Sequence, residues 1–277
     1  MVKSILIGTN GSRWSETAVK LGISLARQLD VRAALLGVVD VPGVTHGEPL
    51  PIGASAFKAE RDAKLLAEAR ERIEHALETA AAQAAQAGVE YSTRFVEGSP
   101  EAELGKEVQK HDLLVVGKRA VPHSDHDPAP SRTLTDILHH SPRPVIVAGD
   151  EVPDSPSVLV AYDGSRVAAR TLAGYVASGI YASNGITVVG VGDDAEVTAE
   201  HVQRAVEFLE LHGRKPKVEI VPVGGSVSDT LVALARRESV GLMVMGAHGK
   251  PRLREMLFGS VTRAILNRVP VPLFLDH

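Results

Sequence analysis

Short apolar runs alternate along this chain with longer stretches in which apolar residues recur every three or four positions. Runs at 2–7, 33–39, 90–96, 112–116 and 144–148 are partly β-branched and bounded by Gly, Pro or Asp, which predicts strands. The stretches 15–29, 58–87, 100–110 and 131–140 predict helices, the first capped by Ser12 or Ser15 and the second ended by Gly88. The same alternation then starts again. Strands are predicted at 157–162, 186–191, 217–223, 241–245 and 271–275, with helices at 165–181, 195–212, 226–238 and 259–268. Strands alternating with helices imply right-handed βαβ crossovers and a mainly parallel sheet, so the fold class is α/β.

The second pass resembles the first residue by residue. Ser4–Ser12 (SILIGTNGS) matches Ser157–Ser165 (SVLVAYDGS), and Asp112–Gly117 (DLLVVG) matches Gly241–Gly246 (GLMVMG). Ala34–Asp40 aligns with Thr187–Asp193, and Ile137–Val145 with Ile265–Leu273, where each copy has Pro-x-Pro before its last strand. Four matches in one order predict two tandem copies. The polar, Pro-rich stretch 149–156 reads as a linker, which places domains at 1–149 and 156–277. The first copy is the longer, mostly through an irregular excursion from Val41 to Lys64, and loops of that length commonly bind something or stay mobile.

Composition narrows the function classes. With 44% hydrophobic and 23% charged residues, the chain can bury a full core, but aromatics at 4% leave that core to Val, Leu, Ile and Ala. A net charge of −4 argues against a nucleic-acid partner. No run approaches the roughly 20 apolar residues of a membrane span, and the apolar start is too short for a signal peptide. The absence of cysteine removes disulfides, thiol nucleophiles and Cys-ligated zinc, and suits a cytoplasmic location.

The candidate chemistry lies in the second copy, at the predicted carboxyl ends of its strands, where open parallel sheets bind ligands. Gly246-Ala-His-Gly249 ends one strand, and Gly259-Ser260 opens the next helix. Glycines let backbone N–H groups approach a ligand, and a helix N-terminus offers unpaired donors and partial positive charge suited to phosphate. Ser260 and Thr262 can add hydroxyls. The competing reading is a plain glycine turn followed by a serine cap. Asp163 ends the first strand of this copy, where it can accept from ribose hydroxyls or simply form an Asx-turn into Gly164-Ser165. Val191 can wall a ring or be core alone.

The spacing Gly-x2-Gly-x9-Gly-Ser, after a strand ended by Asp, resembles the universal stress protein family, and the resemblance spans nearly the whole chain as two tandem copies. It implies two open parallel-sheet domains, Rossmann-like and of the adenine nucleotide alpha hydrolase type, packed as a pseudo-dimer through their last strands, with room for a further homodimer. It also implies a site for ATP, with or without Mg2+, although AMP or another adenine nucleotide stays open. In that site Ala161 and Asp163 meet adenine and ribose, and Val191 packs on adenine. Met245, Gly246, His248 and Gly249 line the phosphate loop, and Gly259, Ser260, Val261 and Thr262 take the remaining phosphates. The first copy departs from the pattern: Asn10 stands for Asp163, Ala120 for the second glycine and Ser131-Arg132 for Gly259-Ser260, across a loop one residue longer. Its site is expected to bind nucleotide weakly or not at all.

Other chemistries lack their signatures. There is no Gly-x4-Gly-Lys-Ser/Thr loop, no Gly-x-Gly-x2-Gly after either first strand and no Gly-x-Ser-x-Gly elbow. His123, His126, His139 and His140 lie near Asp125 and Asp127, a grouping read as an exposed loop in preference to a metal site. Three functions remain: a nucleotide-binding stress regulator, a slow ATPase, and an interaction scaffold with an empty site.

Overall fold

The computed structural model describes residues 2–45, 55–118, 132–247 and 260–276. The first half contains β1 (Ser4–Thr9), α1 (Arg13–Leu29), β2 (Arg32–Asp40), α2 (Val41–Val44), α3 (Ser55–Gln86), β3 (Tyr91–Gly98), α4 (Pro100–Glu107), β4 (Leu113–Val116), α5 (Arg132–His140) and β5 (Val145–Val147). The second contains β6 (Val158–Ala161), α6 (Arg166–Ser178), β7 (Ile186–Val191), α7 (Ala195–Leu211), β8 (Lys217–Val221), α8 (Val227–Arg237), β9 (Leu242–Gly246), α9 (Ser260–Arg268) and β10 (Leu273–Asp276).

The strands form one sheet of ten in the order β3-β2-β1-β4-β5-β10-β9-β6-β7-β8. That order reads the same from either edge once each strand is exchanged for its repeat. Neighbours are parallel everywhere except at the centre, where β5 meets β10 antiparallel with Ile146 opposite Phe274. Both residues are fully buried, so the central pair is the core of the seam. Pro144 and Pro272 sit just before these strands. Each lacks an N–H but gives its carbonyl to the next strand, to Leu114 N at 3.1 Å and to Met243 N at 2.9 Å. The last strands thus pair within one chain.

Each face of the sheet carries its own apolar layer. One is formed with α1, α3, α6 and α7, the other with α4, α5, α8 and α9. Tyr175 of α6 is fully buried and meets Phe274 edge to face at 6.0 Å. Burial, eased by nearby Arg214, pushes its phenol up to about 12.

The boundaries differ from the sequence reading at a few ends. The helix expected over 165–181 stops at Ser178, because Gly179 takes a left-handed φ of 76° and closes it. The helix expected over 100–110 ends at Glu107 and tightens into a 3-10 turn at Val108–Lys110. The excursion from Val41 is partly helical: Asp40 caps α2 through Gly43 N, and α3 already begins at Ser55. At the start of α3 the buried Asp62 pairs with Lys58, whose ammonium also reaches the Thr45 carbonyl at 3.1 Å. Among the described residues, no helix is long and apolar enough to cross a membrane.

Candidate functional site

In each half the strand order reverses beside the first strand, between β1 and β4 and between β6 and β9. The crevice beyond the carboxyl ends of such a pair is where open α/β sheets take ligands. In the second half, register places Ala161 level with Met245 of β9 and Val189 of β7. The chain runs on through Tyr162, whose N–H donates to the Val189 carbonyl at 2.9 Å, to Asp163. Asp163 Oδ1 accepts the Ser165 N–H at 3.0 Å, and Ser165 Oγ accepts the Ala168 N–H at 3.1 Å. The aspartate therefore makes the Asx-turn that starts α6. It remains exposed, and its second oxygen takes no hydrogen bond among the described residues. Asn10 makes the same turn in the first half, accepting the Ser12 N–H at 3.1 Å.

Val191 ends β7 half-buried, level with Val221. The buried ring of Tyr162 lies on the α7 side, where burial raises its pKa, Arg204 opposes that shift and Asp163 reinforces it. A residue that the sequence reading did not single out borders this corner. Gly164 has φ 77°, and a Cβ there would lie 2.5 Å from the ring of His201 on α7. The glycine thus supplies both the turn and the room for His201 beside Asp163. In the first half Gly11, with φ 73°, stands in the same relation to Arg72 of α3.

Met245 is buried and Gly246 half-buried. Part of the need for glycine at 246 is packing, since a Cβ would sit 3.0 Å from the Ala168 nitrogen at the start of α6. Gly117 has the same role against the Trp14 backbone, at 2.6 Å. Beyond Gly246, the Ala247 carbonyl accepts the Thr262 hydroxyl at 3.0 Å. This contact draws the first turn of α9 onto the end of β9. Ser260 is exposed there, Val261 half-buried and Thr262 buried. The Thr262 hydroxyl proton is thereby directed to the protein, and the exposed hydroxyl of Ser260 leads the helix. His248, Gly249 and Gly259 lie outside the described residues, as do Ala120 and Ser131 of the first copy. His123, Asp125, His126 and Asp127 also lie outside them. Among the described residues no group of three or more His, Asp or Glu is placed to hold a metal.

The sequence profile of the universal stress protein family matches residues 1–149 and 185–276. The chain belongs to the universal stress protein family. The matched segments leave β6 and α6, with Ala161 and Asp163, between them. Universal stress protein Slr1230 of Synechocystis sp. is 25% identical over 289 residues, covering 98% of each chain. Universal stress protein MJ0577 of Methanocaldococcus jannaschii is 29% identical over 83 residues, 30% of this chain and 48% of that protein. Among solved structures, a universal stress protein from Archaeoglobus fulgidus superposes with a TM-score of 0.69 at 22% identity, over 98% of this chain and 97% of that one. That likeness of fold covers both halves of this chain.

Proposed function

We propose that this universal stress protein binds an adenine nucleotide, ATP in the first instance, in a second domain spanning 156–277, while the domain at 1–149 carries a degenerate site. The observation that carries this reading is the Thr262–Ala247 hydrogen bond. It holds the first turn of α9 against the end of β9, which supports reading the two ends of the glycine pattern as parts of one site. A glycine turn and a serine cap have no need to meet, whereas a phosphate chain needs both.

In this reading the base lies between Ala161 and Val191, and the second oxygen of Asp163 accepts from the ribose. The phosphates run from Gly246 past His248 and Gly249 to the α9 N-terminus, where Gly259, Ser260, Val261 and Thr262 offer main-chain donors. Mg2+ would offset phosphate charge when present. Bound phosphate would alter the surface shown to partners, a change that requires different nucleotide affinities in two conformations. The activity proposed is binding in the cytoplasm rather than turnover.

The test is a thermal-stability titration with adenosine, AMP and ATP. Stabilisation should rise from adenosine to ATP, and the increment should fall away in the Ser260→Pro variant, which removes a donor at the helix start. Equal stabilisation by all three would remove the phosphates from the site. Release of inorganic phosphate at a rate above about 1 per second would replace binding with turnover.

A further inference from the structure

The first half holds a cavity of about 100 Å³ at the carboxyl ends of β1, β2 and β4. Its walls include Leu36, Val38, Ile73, Leu104, Leu134 and Ile137, all buried. Among the described residues, Asn10, Asp40 and Arg72 bring polar groups to it. An apolar cavity of roughly 150 Å³ takes a benzene ring, so the apolar depth of this hollow suits a body of about that size or smaller.

Its charges are unequal in what they already contact. The Arg72 guanidinium is exposed, its Nε turns to the Asn10 carbonyl at 3.4 Å, and its stem packs over Gly11. Asp40 is half-buried, and its Oδ1 accepts the Gly43 N–H at 2.8 Å. No cation pairs with this carboxylate among the described residues. Burial raises its pKa, the Gly43 N–H opposes that shift and Glu101 adds to it. A half-buried carboxylate without a cation is stabilised by a ligand that brings one. The second half differs here: Asp193 is exposed and accepts the Val223 N–H at 3.3 Å.

We infer that the first half is a receptor for a small monoamine with an apolar body, its ammonium on Asp40 and its hydrocarbon in the Leu36–Ile73–Leu134 hollow. This hollow is the first half's counterpart of the crevice proposed for nucleotide in the second, with Asn10, Val38 and Gly117 at the places of Asp163, Val191 and Gly246, and the inference concerns what the degenerate copy takes instead. The body gains by leaving water and the ammonium by meeting a partly desolvated carboxylate.

The experiment uses the full chain with labelled Ile, Leu and Val methyl groups, titrated with benzylamine, toluene, benzoate and ATP. Benzylamine should shift Leu36, Val38 and Ile73 saturably and more tightly than toluene. The Asp40→Asn variant, which can still accept from Gly43, should bind it about tenfold more weakly, the loss of one charge-assisted contact. The Val38→Phe variant should fill the hollow and abolish binding, while methyl signals of the second half report that the chain stays folded. Toluene binding as well as benzylamine, tighter binding of benzoate, ATP shifting the same methyls, or no saturable shift would each overturn the inference.

Discussion

The ammonium of Lys118 crosses the seam between the halves and donates to the Val269 carbonyl. Lys118 follows Gly117 at the end of β4, Val269 follows α9, and the lysine side chain is 8% exposed. It also reaches Asp150 Oδ1 at 3.1 Å, and the Asp150 N–H donates to the Pro270 carbonyl at 2.9 Å. The end of β4 in one half is thereby fastened to the end of the candidate phosphate helix in the other. Asp150 is half exposed, so most of the effect lies with the buried carbonyl. Lys118→Met should lower stability by about 1–3 kcal/mol, read from urea unfolding. An unchanged midpoint would show the clamp to be incidental.

The two strand-end glycines should differ in their tolerance of a methyl group. A Cβ at Gly117 meets the Trp14 main chain at 2.6 Å, whereas one at Gly246 stands 3.0 Å from the Ala168 nitrogen. Gly117→Ala should therefore lose roughly 1–3 kcal/mol, and Gly246→Ala less. Equal losses in urea unfolding would contradict the packing account.

Stability should fall in mild acid through His111. Its ring Nδ1 lies 2.6 Å from Ser4 Oγ, and burial lowers its pKa against the opposing pull of Glu107. The folded chain thus takes up this proton less readily than the unfolded one. The contribution is present above the unfolded value near 6.5 and is lost as pH falls below it, towards the folded value. Urea midpoints from neutral pH downward should decline less steeply in His111→Gln than in the parent. Parallel slopes would refute this.

Thr262 links fold to site, and its hydroxyl is the atom to remove. Thr262→Val keeps the shape of a buried side chain but leaves the Ala247 carbonyl unanswered, at a cost of about 1–2 kcal/mol. ATP affinity should fall with it, while Thr262→Ser should retain both. Stability loss without affinity loss would separate the contact from the site.

Much of this was legible before any coordinates. Strand and helix periods located the ten strands of the described residues, since apolar runs such as Ile5–Ile7 and Val158–Val160 leave few alternatives. The Pro-x-Pro signals marked the last strands as edges open to pairing, and the family resemblance implied that they pair with each other, as β5 and β10 do. The contacts of Lys118, His201 and Asp40 were not legible. Each depends on which distant residue the topology delivers: Val269 from the other half, Gly164 beneath α7, and a hollow closed by α3 and α5. Local pattern carries no such information. Gly246 shows a subtler limit, because one glycine can answer to helix packing and to a ligand together, and spacing alone does not divide the two.

The central claim is one working nucleotide pocket, in the second half. Calorimetric titration of the full chain with ATP, with and without magnesium, tests it most directly when repeated on Gly259→Leu. The account predicts one strong site per chain, lost in the variant while its unfolding midpoint holds. No heat and no thermal stabilisation at millimolar ATP, or two equal sites, would contradict it.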